Sequence, residues 1–163
     1  MRVLITGVSS LIGSSISNRL LQEGFDVVGL DIVKSHSLRK EIEFFQGDVR
    51  DGSLLASAAT GCDLGIHLAV LATNAKAADI MSANVFGMYS YLQAAKQAQF
   101  QNSIIVSSAP VHLKPSDSDN AIVLKTSDDE DHLYDLTKTL QEVIGRDFHA
   151  HGLSVLCLSL IHI

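Results

Sequence analysis

One stretch constrains this chain more than any other: Arg2 to Gly13, RVLITGVSSLIG. Val3, Leu4 and Ile5 form a short apolar run without alternation, as expected of a strand buried in a parallel sheet. The run breaks at Thr6-Gly7, and a helical pattern begins within a few residues. Strand, tight glycine turn and helix together aim backbone N–H groups and a helix N-terminus at a phosphate. Gly7 serves the turn, and Gly13 lets the helix sit close on the sheet. Ser10 stands between them where a third glycine often lies, and it lets the backbone approach a pyrophosphate less freely than glycine. Two glycines after one strand also fit an ordinary strand-to-helix turn, so the rest of the chain decides.

Downstream, Ile12, Ile16, Leu20 and Leu21 mark the apolar face of that helix, and Gly24 is placed to stop it. Phe25 to Asp31 reads as a second strand ending in an acid eighteen positions past Gly13. A carboxylate there can accept hydrogen bonds from an adenosine ribose, and its charge repels a 2′-phosphate. Val33 to Glu41 is a turn or an abbreviated helix. Ile42 to Phe45 is a third strand, followed by Gly47-Asp48-Val49-Arg50-Asp51. Asp51 suits the N-cap of a short helix through Leu54, Leu55 and Ala58. Asp48 either shapes that turn or faces an adenine amino group.

Asp63 to Ala69 is a fourth strand, within which His67 reads as a satisfied core histidine. A long helix over residues 78–99 carries the stripe Met81, Val85, Met88, Leu92 and Ala95. Ser103 to Ser108 is a fifth strand ending in two hydroxyls. Pro110 to His132 is a long, acidic, irregular stretch of the kind that is functional or mobile in a compact domain. A helix over 133–150 follows, with Leu136, Leu140, Val143 and Ile144 as its expected buried face. Leu153 to Ile163 reads as a sixth apolar strand. Strands alternating with helices define an α/β fold: a doubly wound parallel sheet of about six strands, a Rossmann fold, with helices on both faces. Its ligand edge lies at the C-terminal ends of the strands, where the glycines, Asp31, Asp48 and Ser107-Ser108 collect.

Composition narrows the classes of function. The 163 residues suit one domain with a substantial core. A net charge of −6 without a basic cluster argues against nucleic acid, and no apolar run is long enough to span a membrane. Cys62 and Cys157 are isolated in apolar settings and read as buried thiols, and the seven histidines lack metal-ligand spacing, so no metal is expected. No signal peptide is legible, which makes the cytoplasm the expected location.

Tyr134 and Lys138 lie four residues apart at the start of a helix and therefore share a face. A phenol with a pKa of about 10 is a poor base at neutral pH. A neighbouring ammonium favours the phenolate, which can then exchange a proton with a substrate hydroxyl or carbonyl. Ser108 could orient that oxygen. Alone, the pair also fits a surface Tyr–Lys contact.

With these motifs in hand, the chain resembles an extended short-chain dehydrogenase/reductase of the NAD-dependent epimerase/dehydratase group. The resemblance rests on Thr6–Gly13, Gly47–Asp51, Ile66-His67-Leu68-Ala69, Asn84-Val85-Phe86-Gly87, Val106-Ser107-Ser108 and Tyr134–Lys138. It implies Ser108, Tyr134 and Lys138 as the catalytic set. It further implies an NAD site made by Gly7, Ser9, Ser10, Leu11, Ile12, Gly13, Asp31, Asp48, Val49, Leu68, Ala69 and Lys138. The implied substrate is a small molecule, a sugar or nucleotide-sugar, oxidised or reduced by hydride transfer. The implied assembly is a homodimer through the helices near 78–99 and 133–150.

Four departures stand against the family pattern: Ser10 for the middle glycine, His112 for a tyrosine, Ser159 for an arginine, and an end at Ile163, before the family's C-terminal substrate-binding part. An NAD(H)-binding module or enzyme fragment without turnover of its own is accordingly the alternative. A protein that merely kept the fold for interaction is the third reading. The expectation for residues 1–163 is an NAD-binding Rossmann domain that turns over little substrate unaided and exposes a sticky surface.

Overall fold

The computed structural model describes residues 1–71, 75–108 and 132–159. Six parallel strands, β1 (Arg2–Thr6), β2 (Asp26–Asp31), β3 (Glu43–Gln46), β4 (Leu64–His67), β5 (Asn102–Ser107) and β6 (Val155–Ser159), form one sheet in the order β3-β2-β1-β4-β5-β6. Strand order therefore reverses at β1, whose Val3 pairs with Val27 of β2 on one side and Leu64 of β4 on the other. A crevice opens at such a reversal, outside the carboxyl ends of the two central strands.

The helices are α1 (Leu11–Gln22), α2 (Gly52–Ala59), α3 (Ala77–Met81), α4 (Gly87–Gln97) and α5 (His132–Ala150). Leu4, Val28, Leu30 and Ile105 enter one core with Leu55, Met88, Tyr91, Leu92 and Phe148. Val3, Ile5, Val27 and Ile66 enter a second, against which Ile16, Leu20 and Leu21 of α1 pack. Gly24, at φ +83°, ends α1 as expected. Asp51 caps α2 by accepting the N–H groups of Ser53 and Leu54. Residues 32–41 are turns without a helix.

Several expectations need correction. Ile12 is exposed, and the residues α1 buries are Gly13 and Ser17. The start of α1 is drawn so close to the turn after β1 that a β-carbon on Gly13 would stand 2.3 Å from the Gly7 carbonyl oxygen, which leaves room for no side chain there. The long helix expected at 78–99 runs unbroken from Ala77 to Gln97 but is not α-helical throughout: α3 and α4 are joined by a π turn, Ser82–Phe86. Met88, Leu92 and Ala95 of its stripe are buried, while Met81 and Val85 are half-buried.

The inward face of α5 is not the apolar stripe. Thr137, Lys138, Gln141, Glu142 and Phe148 are buried, whereas Leu136, Leu140 and Ile144 are half-buried and Val143 is 39% exposed. This helix crosses the ends of β5 and the π turn, where backbone carbonyls and hydroxyls need partners, so polar side chains turn inward. The sixth strand is shorter than read, Val155–Ser159, with Leu153 in the core before it. Cys157 is exposed on β6, which among the described residues pairs only with β5; Cys62 is buried as expected. His112, the acidic stretch up to residue 131, Leu160, Ile161 and Ile163 lie outside the described residues.

Gly65 on β4 shows how tightly the first core is filled. A β-carbon there would meet the Tyr91 hydroxyl at 2.5 Å and Phe100 Cε2 at 2.7 Å. Gly65→Ala is expected to destabilise the fold by about 1–3 kcal/mol through overpacking, read from urea unfolding. An unchanged midpoint would show that Tyr91 and Phe100 shift freely.

Candidate functional site

The crevice at the β1/β4 reversal is a cavity of about 900 Å³. Its walls include Gly7, Ser9 and Ser10 from the first turn, Asp31 and the residues after it, Gly47 to Arg50 after β3, and Leu68 to Leu71 after β4. Gly7 turns the chain at φ +71°, and a β-carbon on it would lie 2.7 Å from the Ala69 backbone nitrogen. Both its conformation and that close approach demand glycine. The turn is anchored from below by the Gly7 N–H, which donates to the Leu30 carbonyl at 2.8 Å.

Two serines continue the turn and make different bonds. The Ser9 N–H donates to Asp31 Oδ2 at 2.9 Å. Its hydroxyl donates to the Val33 carbonyl at 2.6 Å and accepts the Ser35 N–H at 3.2 Å. The first turn and the loop after β2 thus form one wall. Among the described residues, the other oxygen of Asp31 accepts no hydrogen bond and stays available at the cavity. Ser10 is the N-cap of α1. Asp48 accepts from the Arg50 backbone N–H at 2.8 Å and its Nε at 2.9 Å, so its carboxylate shapes the turn. The Arg50 guanidinium holds the Asp48 carboxyl below its ordinary range.

Beside this cavity, α5 carries Tyr134 and Lys138 on one face. Lys138 Nζ lies 5.6 Å from the centre of the Tyr134 ring and donates to the Val106 carbonyl at 2.7 Å. Burial brings its pKa down to about 8. Ser108 follows directly on β5 and is half-buried. The Tyr134 phenol is pushed up, first by burial and then by the charge of Asp135. This differs from the sequence expectation of a lowered phenol: without a further positive charge, desolvation outweighs the ammonium. His67 is fully buried, shares a 2.7 Å hydrogen bond with Thr6 Oγ1, stacks on Tyr91 and is kept neutral by burial, with its pKa down to about 3. It is a core histidine as expected but not a satisfied one, since among the described residues its Nε2 is buried without a hydrogen-bond partner.

Gly7, Ser9, Ser10, Asp31, Asp48, Val49, Leu68 and Ala69 thus share one cavity wall. Leu11 and Ile12 open α1 beside it, Leu11 being 85% exposed, and Gly13 is packed beneath. Ser108 follows β5, and Tyr134 and Lys138 stand near the start of α5, with Lys138 bonded to Val106; none of the three lines that wall.

A fully buried residue that the sequence reading used only within the Asn84–Gly87 motif, with no site role, connects the two groups. Asn84, in the π turn, accepts the Leu71 N–H at 2.7 Å and donates to the Leu71 carbonyl and Thr137 Oγ1, both at 3.1 Å. Its own carbonyl accepts from Gln141 Nε2 at 2.6 Å. One Asn thereby ties the cavity wall to α5. A π turn is a common device at functional sites. The available signal was an amide inside an otherwise apolar helical stripe. Glu142, buried, accepts from Ser107 Oγ and from Arg146 at 3.1 Å, holding the residue before Ser108. Among the described residues, no cluster of His, Cys, Asp or Glu is placed to hold a metal ion, and no helix is long and apolar enough to cross a membrane.

The buried Lys138 has a consequence for stability. Its folded pKa of about 8 lies below the ordinary lysine value of 10.5. Between these values the unfolded chain binds more protons than the folded one, so this residue's contribution to stability rises with pH across that window. Denaturation series from pH 7 to 11 are expected to show that rise in the wild type relative to Lys138→Met. Parallel curves would mean that the ammonium is not desolvated.

Comparison with known proteins agrees with this geometry. The chain matches the NAD dependent epimerase/dehydratase family over residues 3–163. It is 35% identical over 128 residues to a UDP-glucose 4-epimerase of Yersinia pestis, in a match that covers 69% of this chain and 38% of that protein. It superposes on UDP-glucose 4-epimerase from Bifidobacterium longum, solved with NAD+ and UDP, with a TM-score of 0.81 and 25% identity, covering 98% of this chain and 52% of that one. For the NAD-bound dTDP-glucose 4,6-dehydratase of Streptomyces venezuelae the TM-score is 0.79 at 26% identity, covering 98% and 55%. The chain therefore spans about half the length of these solved relatives. Glycine turn, strand order and family match together make this chain a member of the NAD-dependent epimerase/dehydratase family of short-chain dehydrogenases/reductases.

Proposed function

We propose that this chain is the NAD(H)-binding and acid–base part of an enzyme that oxidises, epimerises or dehydrates a sugar or nucleotide-sugar. The observation that carries this reading is the single cavity that joins the glycine turn, Asp31 and the 68–71 loop, with Asn84 linking that loop to the helix of Tyr134 and Lys138. The residues fit a dinucleotide. The space that β-carbons on Gly7 and Gly13 would fill is taken by close backbone packing, and α1 opens on N–H groups that lack intrahelical partners. Ile32, Val49 and Leu68 offer apolar walls, with Asp31 beside them at the end of β2 for a ribose.

NAD, when bound, supplies the hydride acceptor or donor. This chain's residues supply the rest. Tyr134 holds the proton at its phenol oxygen and exchanges it with the substrate oxygen. Lys138 places positive charge beside that phenol, and Ser108 donates a hydrogen bond to the same substrate oxygen. Cytoplasmic work and a homodimer belong to the same proposal. The free thiols Cys62 and Cys157 support the first. The exposed Phe86, Tyr89 and Val143 on the π turn, α4 and α5 support the second. An NAD(H)-binding module without turnover is the second reading.

NAD+ is expected to bind more tightly than NADP+, because Asp31 carries negative charge where a 2′-phosphate would sit. Lys34 is instead placed over the Phe44 ring, 5.3 Å from its centre. Calorimetric titration of both cofactors checks this; equal affinities would remove Asp31 from the ribose, and Asp31→Ala should narrow the gap. In any form of the protein that shows turnover, Tyr134→Phe should keep cofactor binding and lower the rate by about 10²–10⁴. Near-full turnover in that variant would assign the proton transfer elsewhere and leave the binding-module reading for this domain.

A further inference from the structure

We propose that Ser10 is a positioning residue for the cofactor's pyrophosphate: its hydroxyl locks the first turn into its binding shape before a dinucleotide arrives. This inference rests on the reading of the cavity as an NAD site. Ser10 stands where the resemblance places a glycine, and its backbone does not need one, with φ −68° and ψ 166°. Glycine's freedom is therefore not what this position uses.

The side chain makes two bonds that glycine could not. Ser10 Oγ donates to the Gly7 carbonyl at 2.8 Å and accepts the Gly13 N–H at 3.0 Å. It thus bridges the two glycines, whose close approach sets the angle between α1 and the sheet. A second, backbone bond runs parallel to the first, from the Ser10 N–H to the same Gly7 carbonyl at 3.1 Å. The Gly13 N–H, the third in α1, is thereby satisfied within the protein. Those of Leu11 and Ile12, the first two in the helix, are left for a ligand. A loop already held in one shape loses less freedom on binding, so the bridge should appear as affinity.

Adenosine shares the ribose and adenine contacts of NAD+ but has no pyrophosphate, and ADP has the pyrophosphate without the nicotinamide. Dissociation constants for NAD+, ADP and adenosine, measured on the wild type, Ser10→Ala, Ser10→Thr and Ser10→Gly well below the lowest melting temperature, separate the possibilities. Ser10→Ala is expected to weaken NAD+ and ADP by about tenfold, the scale of one or two lost hydrogen bonds, and to leave adenosine unchanged. Ser10→Thr, which keeps the hydroxyl, should restore the affinity.

A melting temperature lowered in Ser10→Ala with unchanged affinity for all three ligands would reduce Ser10 to a helix cap and overturn the proposal. Tighter NAD+ binding by Ser10→Gly would also overturn it, since the side chain would then obstruct the pyrophosphate. A wild type that binds adenosine but neither NAD+ nor ADP, with every variant alike, would overturn the dinucleotide reading itself and this inference with it.

Discussion

The carbonyl oxygen of Gly7 and the α-carbon of Gly13 sit closer than any side-chain-bearing residue at position 13 would permit. That contact sets how α1 meets β1, and through α1 it sets where the first N–H groups of the helix point. The crevice next to it exists because strand order reverses at β1, and chain reversal and close packing have to coincide for the edge to be useful. Other elements serve that coincidence. The Ser9 N–H fastens the turn to Asp31, and the Gly7 N–H fastens it to the carbonyl of Leu30, so two neighbouring strand ends are held at one height.

A second organising feature is polar. Beneath α5 lies a buried layer of Asn84, Thr137, Lys138, Gln141, Glu142 and Ser107. Burying so many polar groups is costly unless each finds a partner, and the hydrogen bonds from Lys138 to Val106, Gln141 to Asn84 and Ser107 to Glu142 provide them. Such a layer has fewer alternative arrangements than an apolar one, because sliding the helix would leave several groups unpaired at once. It is suited to holding Tyr134 and Ser108 in a fixed relation.

Much of this was legible in the chain because local pattern and fold agree. The unalternating run Val3–Ile5 and the Asp51 cap each report structure within a few residues of themselves, and the spacing from Gly13 to Asp31 spans one helix and one strand. The α5 face was not legible in the same way. Leu136, Leu140 and Val143 do form a helical stripe, but what lies opposite a helix is decided by distant residues, here the carbonyl of Val106 and the side chain of Asn84. Ile12 fails for a related reason: the residues that α1 buries are Gly13 and Ser17, and at Gly13 the Gly7 carbonyl comes too close for any side chain. The π turn at 82–86 leaves no mark in periodicity over so short a span. Of the site itself, the wall residues and the Tyr134–Lys138 spacing could be read; the raised phenol could not, since desolvation depends on what surrounds it.

The π turn also carries a lesson about insertion and deletion. A turn of this kind holds one residue more than an α-helix would over the same rise. Taking one residue out of Ser82–Phe86 would restore a regular helix and keep every local preference satisfied. The segment beyond would keep nearly the same phase, because the wide turn already absorbs the extra residue locally. Met88, Tyr91 and Leu92 would stay on the core face, while the tightened turn would draw Asn84 away from Leu71 and Thr137. The extra residue thus widens one turn only: it lets a single run of chain present an apolar face to the sheet and an amide to the site. Along this helix, length is held as strictly as composition.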